Sequence, residues 1–382
     1  MKIPEGFKFS ASSCNIKKKD KLDLGLIFLE GKGQAWGVFT KNSVKAAPVI
    51  IGKKHIKNPV TRAILVNSGV ANACTGEEGL RRAENLLEEV AKHLKIKKEE
   101  ILPASTGVIG EHLPVEKILP HIPKLIESLS EDKYLDFAQA IMTTDSFPKL
   151  VSKQMEEGIS ILGIAKGAGM IAPNMATMLA FILTDANLPK EELKKMLSKG
   201  VSESFNRITV DGDTSTNDTV YFLTSGKKEV RKSEDFYALF LEVLKELAYL
   251  IVKDGEGASK VIKICIKGAK SKEEAEKITS SIANSPLVKT AFYGEDPNWG
   301  RIFAAMGKSG INFNPEDVEI TLNGVLWIQK LNPVTEEALL KKELAKPEIE
   351  LVINLKRGKQ KYWMLTCDFT EEYVKINASY RS

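Results

Sequence analysis

The sequence predicts a mixed α/β fold in which strands and helices alternate along the chain. Apolar and polar side chains alternate over residues 261–267 and 348–355, which is typical of half-buried strands. Apolar side chains recur at helical spacing over residues 80–94, 193–201 and 275–282, which is typical of amphipathic helices. Strands and helices of this kind cover both halves of the chain.

The first predicted elements lie before residue 95. The apolar run 63–66 ends at Asn67-Ser68-Gly69 and predicts a buried strand that enters a turn. Thr75 and Glu78 have the spacing of a capping box, in which each side chain accepts a backbone N–H at the start of a helix. We therefore expect a helix that begins at Thr75 and carries the apolar stripe as far as Leu94.

The later elements follow the same logic. A helix is predicted to begin near Pro189, and a further helix covers residues 271–283. Residues 236–252 are apolar on most faces and are followed by Gly255, which predicts a deeply packed helix. The charged stretch 336–346 is either a flexible connector or another helix.

Length and composition bound the function. The 382 residues correspond to two or three structural units at ~150 residues each. The net charge of +5 is spread along the chain, so we predict no nucleic-acid partner. No secretion signal or apolar run of ~18 residues is present, which predicts a soluble cytoplasmic protein without a membrane partner.

The cysteines and histidines indicate neither a disulfide framework nor a metal site. The four cysteines form no CxxC motif, and the four histidines have no metal-ligand spacing. Residues 31–37 are one residue too long for the dinucleotide-binding GxGxxG motif, and residues 166–169 lack the frame of a phosphate-binding loop. We therefore predict no metal and no bound cofactor.

What remains is a set of glycine- and hydroxyl-rich segments. Small residues followed by a hydroxyl allow the backbone to approach a ligand closely. Any one of them alone is explained as a turn or a strand end, but together they predict a ligand site. The segments are residues 67–73, 105–107, 142–145, 166–170, 173–179 and 211–219.

The segment around Thr177 indicates a specific chemistry. Ala176-Thr177 lies between the Pro173-Asn174 turn and the apolar run 178–183. A threonine in such a place can attack its own upstream carbonyl, which cuts the chain and leaves an α-amino group on Thr177. An α-amine has a reference pKa of about 7.7–8.0 and can act as the base for the adjacent hydroxyl. A nucleophile of this kind requires no histidine.

Four segments resemble one known family. Residues 67–73, 166–180, 296–301 and 373–382 look like those of the ornithine acetyltransferases, also called glutamate N-acetyltransferases, and the resemblance runs in order over essentially the whole chain. It implies transfer of an acetyl group from N2-acetylornithine to glutamate in arginine biosynthesis, and some members of the family also accept acetyl-CoA as a substrate. It also implies a stacked α-β-β-α sandwich, similar to that of self-cleaving aminopeptidases, with a smaller α/β lobe at roughly 260–350.

The resemblance further implies a cut chain. Self-cleavage between Ala176 and Thr177 would give an α chain of residues 1–176 and a β chain of residues 177–382. The two chains would form the sandwich core together, as a heterodimer that associates again into an α2β2 heterotetramer.

Residue roles carry over where this sequence matches the family. Thr177 matches the nucleophile that becomes acetylated, and Thr106 and Gly107 match the pair that stabilises the oxyanion. Thr144 stands beside Thr143 and is the alternative to it. The positions that match the substrate-binding residues are Thr143, Lys166, Thr177, Glu256, Asn377 and Ser382.

Plainer interpretations stay open for several of these residues. Glu256 can be an exposed loop charge, Lys166 a solvated lysine, and residues 377–382 a frayed terminus. Residues 211–219 and 296–301 match the family but receive no catalytic role, and we interpret them as structural supports. The rival functions are an aminopeptidase-type hydrolase of the same fold and a non-catalytic small-molecule binder.

Overall fold

The computed structural model describes residues 1–17, 20–172 and 178–379. The chain forms two compact units. The larger comprises Met1–Asn206 and Asp213–Ile251, and the smaller comprises Arg207–Gly212 and Val252–Ser382.

The larger unit contains eight strands and seven helices among its described residues. In chain order they are β1 (Phe7–Ser12), β2 (Leu24–Phe39), α1 (Ala47–His55), β3 (Thr61–Val70), α2 (Gly76–Leu94), β4 (Ile101–Val108), α3 (Val115–Ile118), α4 (Ile122–Glu127), α5 (Tyr134–Ala140), β5 (Lys149–Gln154), β6 (Ser160–Lys166), β7 (Leu179–Asn187), α6 (Lys190–Glu203), β8 (Thr219–Glu229) and α7 (Ser233–Lys253), whose last residues enter the smaller unit.

These strands form two sheets that share β2. Residues 24–28 of β2 pair with β1 and β3, and β3 pairs in parallel with β4. Residues 34–39 of β2 pair instead with β8, which is followed by β7, β6 and β5. Gly33 lies where β2 passes from one sheet to the other, and a Cβ atom there would lie 2.6 Å from the carbonyl oxygen of Thr224.

Helices cover the outer face of each sheet, so the larger unit has four layers. Because successive side chains of a strand point to opposite faces, Ile27 and Val66 enter the core between the sheets, while Leu26 and Leu65 pack with the helices that include α2 and α4. On the second sheet, the ring of Phe222 lies 4.6 Å from that of Phe240 in α7. The α-β-β-α sandwich is confirmed.

The smaller unit is an α/β lobe with one six-stranded sheet in the order β12-β11-β10-β13-β9-β14. Its core lies between one face of this sheet and helices that include α8 and α10. The elements are β9 (Val261–Ala269), α8 (Lys272–Ala283), α9 (Pro286–Tyr293), α10 (Trp299–Gly307), β10 (Glu319–Leu322), β11 (Val325–Gln329), β12 (Asn332–Pro333), α11 (Glu337–Leu344), β13 (Glu348–Asn354), β14 (Gln360–Cys367) and α12 (Glu371–Ala378).

The alternating patterns of the smaller unit are confirmed. Ile262, Ile264 and Ile266 of β9 are fully buried, whereas Lys263 and Lys267 are exposed on the other face. Strand β13 pairs in parallel with β9 and contributes its own alternate apolar residues to the same core. The period of two therefore identified both strands correctly.

The helix predictions are also confirmed. Pro189 is the N-cap of α6, and α7 covers the apolar residues 236–252. Ser271 caps α8 by accepting the N–H of Glu274. The charged stretch 336–346 contains α11, so it is a helix and not a flexible connector.

The predicted turn after residue 66 is wrong, because β3 continues to Val70. Its parallel pairing with β4 extends through Ser68, opposite Thr106, and this ladder supplies hydrogen-bond partners that a turn would have had to provide. The side-chain amide of Asn67 donates to the carbonyl of Val70 at 2.8 Å, which closes the end of the strand.

Thr75 is the N-cap of α2, as predicted. Among the described residues 20–172, however, its side chain accepts no backbone N–H, so the predicted capping box does not form. Its hydroxyl donates instead to the side-chain oxygen of Asn72 at 2.8 Å. Glu78 turns outward to the guanidinium groups of Arg81 and Arg82, because three charge-assisted hydrogen bonds outweigh one bond to a backbone N–H.

Among the helices of the described residues, none is both long enough and apolar enough to span a membrane.

Candidate active site

A buried cluster of polar side chains lies in the larger unit around Lys166, the last residue of β6. Lys166 is 3% exposed, and its Nζ donates to Oγ1 of Thr143 at 2.7 Å and to Oγ1 of Thr106 at 3.3 Å. It also lies 3.7 Å from Oδ2 of Asp145. The interpretation of Lys166 as a solvated lysine is therefore wrong, and the structure brings three predicted site segments together.

Thr106 and Gly107 lie at the end of β4, where β3 runs directly beside them. Gly107 has a φ of +131°, and a Cβ atom there would lie 2.2 Å from the carbonyl carbon of Gly69. Only glycine permits this conformation and this close approach. The pair that was predicted to stabilise an oxyanion is thus held by the contact between two parallel strands.

Asp145 holds the cluster from the other side. Its Oδ2 accepts the N–H of Thr143 at 3.0 Å, and its Oδ1 accepts the N–H of Gly167 and the Nζ of Lys149, both at 2.7 Å. Burial raises the pKa of this carboxyl, but the charges of Lys166 and Lys149 outweigh burial and hold the pKa of Asp145 well below its usual range. Asp145 is therefore an anion that fixes Thr143 and Lys166.

Lys17 fixes the segment that leads into Thr143. Its Nζ donates to the carbonyl oxygens of Met142 at 2.8 Å and Ala140 at 3.4 Å. Burial lowers the pKa of Lys17 to about 8; the nearby Asp23 opposes this and Lys166 adds to it. Two ammonium groups, those of Lys17 and Lys166, therefore act on the same part of the unit.

Two more predicted residues meet in the smaller unit. Nδ2 of Asn377, in α12, donates to Oε2 of Glu256 at 2.7 Å and to the carbonyl of Tyr373 at 3.0 Å. Glu256 is 8% exposed, so the interpretation as an exposed loop charge is wrong. Asn377 is likewise fixed by two hydrogen bonds and is not part of a frayed terminus.

Three predicted site residues lie outside the described residues. They are Ala176 and Thr177, which flank the predicted cleavage site, and Ser382 at the end of the chain. Their roles stay predictions.

The sequence assigned no catalytic or binding role to three buried polar residues of the larger unit, namely Asp145, Asn217 and Asp218, and the last two were interpreted only as structural supports. All three lie within segments that the sequence singled out, and all three are buried. Buried Asp and Asn side chains are costly unless they are bonded, so their polarity next to apolar strands was the available signal. Which groups they bond could be learned only from the structure.

The cluster can bind an anion and stabilise a developing negative charge. Lys166 supplies an ammonium group for a carboxylate, and Thr106 supplies a hydroxyl beside the backbone of Gly107. Within the described ranges, no three His, Cys, Asp or Glu side chains come together in a way that could hold a metal ion. The described side chains of this cluster offer hydrogen-bond donors and an ammonium group.

Known proteins are similar to this chain over nearly its whole length. The model of the ArgJ family matches residues 8–382. The chain is 48% identical over 394 residues to the arginine biosynthesis bifunctional protein ArgJ of Desulfotalea psychrophila, with 99% of each chain covered. It is 46% identical over 399 residues to the protein of the same name from Thermotoga neapolitana, with 100% of each covered.

A solved structure is also similar. The crystal structure of the arginine biosynthesis bifunctional protein ArgJ from Bacillus halodurans matches with a TM-score of 0.50 and 37% sequence identity. The match covers 53% of the present chain and 99% of that chain.

Proposed function

The chain belongs to the ArgJ family, and on that premise we propose that it is a glutamate N-acetyltransferase, also called ornithine acetyltransferase. It transfers the acetyl group of N2-acetyl-L-ornithine to L-glutamate and thereby produces ornithine and N-acetylglutamate. The observation that carries the proposal is the buried contact of Lys166 with Thr143 and Thr106. The names of the relatives assign them to arginine biosynthesis, which supports acetyl transfer in that pathway over the aminopeptidase-type hydrolase.

The reaction proceeds in two steps through one nucleophile. The hydroxyl of Thr177 attacks the acetyl carbonyl of N2-acetylornithine, and the α-amino group of Thr177 accepts the hydroxyl proton and passes it to the departing ornithine nitrogen. The amine of glutamate then attacks the acetyl ester on Thr177, which releases N-acetylglutamate and restores the hydroxyl. Each step passes through an oxyanion, which the hydroxyl of Thr106 and the N–H of Gly107 stabilise.

The remaining residues bind the substrates. Lys166 and Thr143 bind a substrate carboxylate, because an ammonium group and a hydroxyl are donors for it. Glu256 binds a substrate ammonium group, with Asn377 and Ser382 as further polar contacts. The contact of Thr143 with Lys166 favours Thr143 over Thr144 in this role.

The functional protein is a cut chain without a cofactor. Cleavage at Ala176-Thr177 frees the α-amino group that the mechanism needs, and the α and β chains associate as an α2β2 heterotetramer in the cytoplasm. Acetyl-CoA is a second candidate acetyl donor for the first step. Incubation of the purified protein with N2-acetylornithine and glutamate tests the function, and the expected products are ornithine and N-acetylglutamate.

Initial rates are expected to give parallel lines in double-reciprocal plots of N2-acetylornithine against glutamate. The acetyl group rests on Thr177 between the two steps, so the two substrates never occupy the enzyme together. The β chain should also gain the mass of one acetyl group when N2-acetylornithine is supplied alone. Lines that intersect would show a ternary complex and rule out the covalent route.

Glu256→Gln is expected to raise the KM for N2-acetylornithine about tenfold or more, with a smaller effect on kcat. A hydrogen bond to a charged group contributes roughly 1.5–3 kcal/mol, and the substitution removes the negative charge while the amide oxygen can still accept from Asn377. Glu274→Gln is the matched control, because Glu274 is also 8% exposed in the smaller unit and pairs with Arg357. Equal KM values in both variants would remove Glu256 from substrate binding.

A further inference from the structure

The residue that follows Thr177 is held by the segment that precedes β8. Oδ1 of Asp218 accepts the N–H of Met178 at 3.0 Å, and the N–H of Thr219 donates to the carbonyl of Met178 at 3.1 Å. Both backbone polar groups of Met178 are therefore bonded to adjacent residues of one segment. Because Met178 is covalently joined to Thr177, this segment acts on the chain next to the proposed nucleophile.

The same segment also holds the chain next to the proposed oxyanion pair. Nδ2 of Asn217 donates to the carbonyl of Ser105 at 2.8 Å and to that of Ala71 at 2.7 Å. Ser105 directly precedes Thr106. The side-chain oxygen of Asn217 accepts the hydroxyl of Thr216, so both ends of this amide are bonded.

The carboxyl of Asp218 lies in a buried environment that raises its pKa. Asp218 is 0% exposed, and burial raises its pKa well above the usual range, although the N–H of Met178, the charge of Lys166 and the nearby Thr40 each oppose this. Thr40 holds Asp218 in place through its N–H, which donates to the Asp218 carbonyl at 3.0 Å, while its hydroxyl donates to Ser215. The charge of Lys166 therefore links Asp218 to the cluster described above.

When only the stability of the fold is considered, the buried carboxyl of Asp218 is unfavourable. Its Oδ2 is enclosed, and among the residues that the structure describes it has no hydrogen-bond partner. A buried polar atom of this kind lowers stability, and such atoms in natural proteins call for an explanation in function or strain. The position of Asp218, in contact with the residue that follows Thr177, offers a functional explanation.

We propose that Asn217 and Asp218 are positioning residues that hold the chain next to Thr177 and the chain next to Thr106 at a fixed separation. This pair, here called the 217–218 brace, touches Met178 and Ser105 and acts on the reaction through them. The inference rests on the proposed function and goes beyond it, because it assigns a role to a segment that the sequence identified only as a support.

Asp218→Leu is expected to lower kcat about 100-fold and to slow self-cleavage, with KM values within about threefold of the parent. Leucine keeps the branching of the side chain but cannot accept the N–H of Met178, and a misplacement of about 1 Å at a reacting group costs roughly 10² in rate. Asp218→Asn should rescue both activities to within about threefold, because an amide oxygen can accept the same bond from the N–H of Met178.

Asp185→Leu is the matched control. Asp185 is also 0% exposed, lies in β7 and is bonded to the N–H of Ser160 and to Lys228. We expect Asp185→Leu to lower the thermal unfolding midpoint at least as much as Asp218→Leu does, and to keep kcat within about threefold of the parent. That comparison separates positioning from a general loss of stability.

Asn217→Ala tests the other half of the 217–218 brace and carries the test if Asp218→Leu does not fold. It should give the same fall in kcat at a nearly constant KM, because the carbonyl of Ser105 loses its donor. The proposal is overturned if kcat stays within threefold of the parent in the folded variants, if Asp218→Asn is as impaired as Asp218→Leu, or if neither Asp218→Leu nor Asn217→Ala folds.

The same assays distinguish the inference from the proposed function. A parent protein that cuts itself but transfers no acetyl group contradicts the proposed function, and the 217–218 brace is then judged from the rates of self-cleavage alone. A parent protein that transfers acetyl groups while Asp218→Leu does so equally well contradicts the inference alone.

Discussion

Thr177→Ala is expected to yield one uncut chain of about 42.2 kDa with no transferase activity. One hydroxyl performs both reactions in the proposed mechanism: it attacks the carbonyl of Ala176 to cut the chain, and it later carries the acetyl group. Alanine removes that oxygen and adds no bulk, so folding should survive. Intact mass measurement and a denaturing gel report cleavage, and product formation reports transfer.

Thr177→Ser is the control for this variant. Serine keeps the oxygen but lacks the γ-methyl group that restricts χ1 in threonine. We therefore expect slower cleavage and partial activity. Two fragments that meet at the same bond in Thr177→Ala would show that another residue is the nucleophile.

Much of the fold could be predicted from local patterns. The alternation of apolar and polar side chains over residues 261–267 and 348–355 identified two strands, and the apolar stripes after Pro189 and Ser271 identified two helices. Both patterns are visible because an element that buries one face repeats its apolar residues at the period of that element. The layered architecture came instead from the resemblance to a family. The path of β2 through both sheets depends on pairing between distant strands, and no local period records such pairing.

The candidate site could likewise be predicted only in part. The segments that contain Lys166, Thr143 and Thr106 could be singled out because so many hydroxyls next to apolar strands are unusual, and the roles of these residues came from the resemblance to a family. The structure places the three side chains in one cluster. Asp145 and Asp218 could not be assigned, because a carboxylate in a sequence does not reveal whether two lysines or one backbone N–H will meet it. The pKa shifts of these two buried carboxyls have opposite directions: burial dominates and raises the pKa of Asp218, whereas the charges of Lys166 and Lys149 outweigh burial and lower the pKa of Asp145.

Thr106→Val is expected to lower kcat about 10²–10³-fold, or roughly 2.7–4 kcal/mol in transition-state stabilisation, with a modest change in KM. Thr106 lies at the end of β4 and is 4% exposed, and it is followed by Gly107, whose φ is +131°. A donor at that place acts on charge that exists only in the transition state, so its loss should affect kcat and leave substrate binding nearly unchanged.

Thr106→Val removes the hydroxyl and leaves the shape of the side chain nearly unchanged, because valine keeps the β-branched form that suits a strand. Lys166 loses one contact at 3.3 Å but keeps Thr143 at 2.7 Å and Asp145 at 3.7 Å, so the cluster should survive. Thr184→Val is the matched control, since Thr184 is a buried threonine of β7 whose hydroxyl donates to Ser160. It should lose some stability and keep its kcat. A Thr106→Val enzyme within about threefold of the parent, far less than the loss of one such donor, would leave Gly107 as the sole proposed stabiliser of the oxyanion.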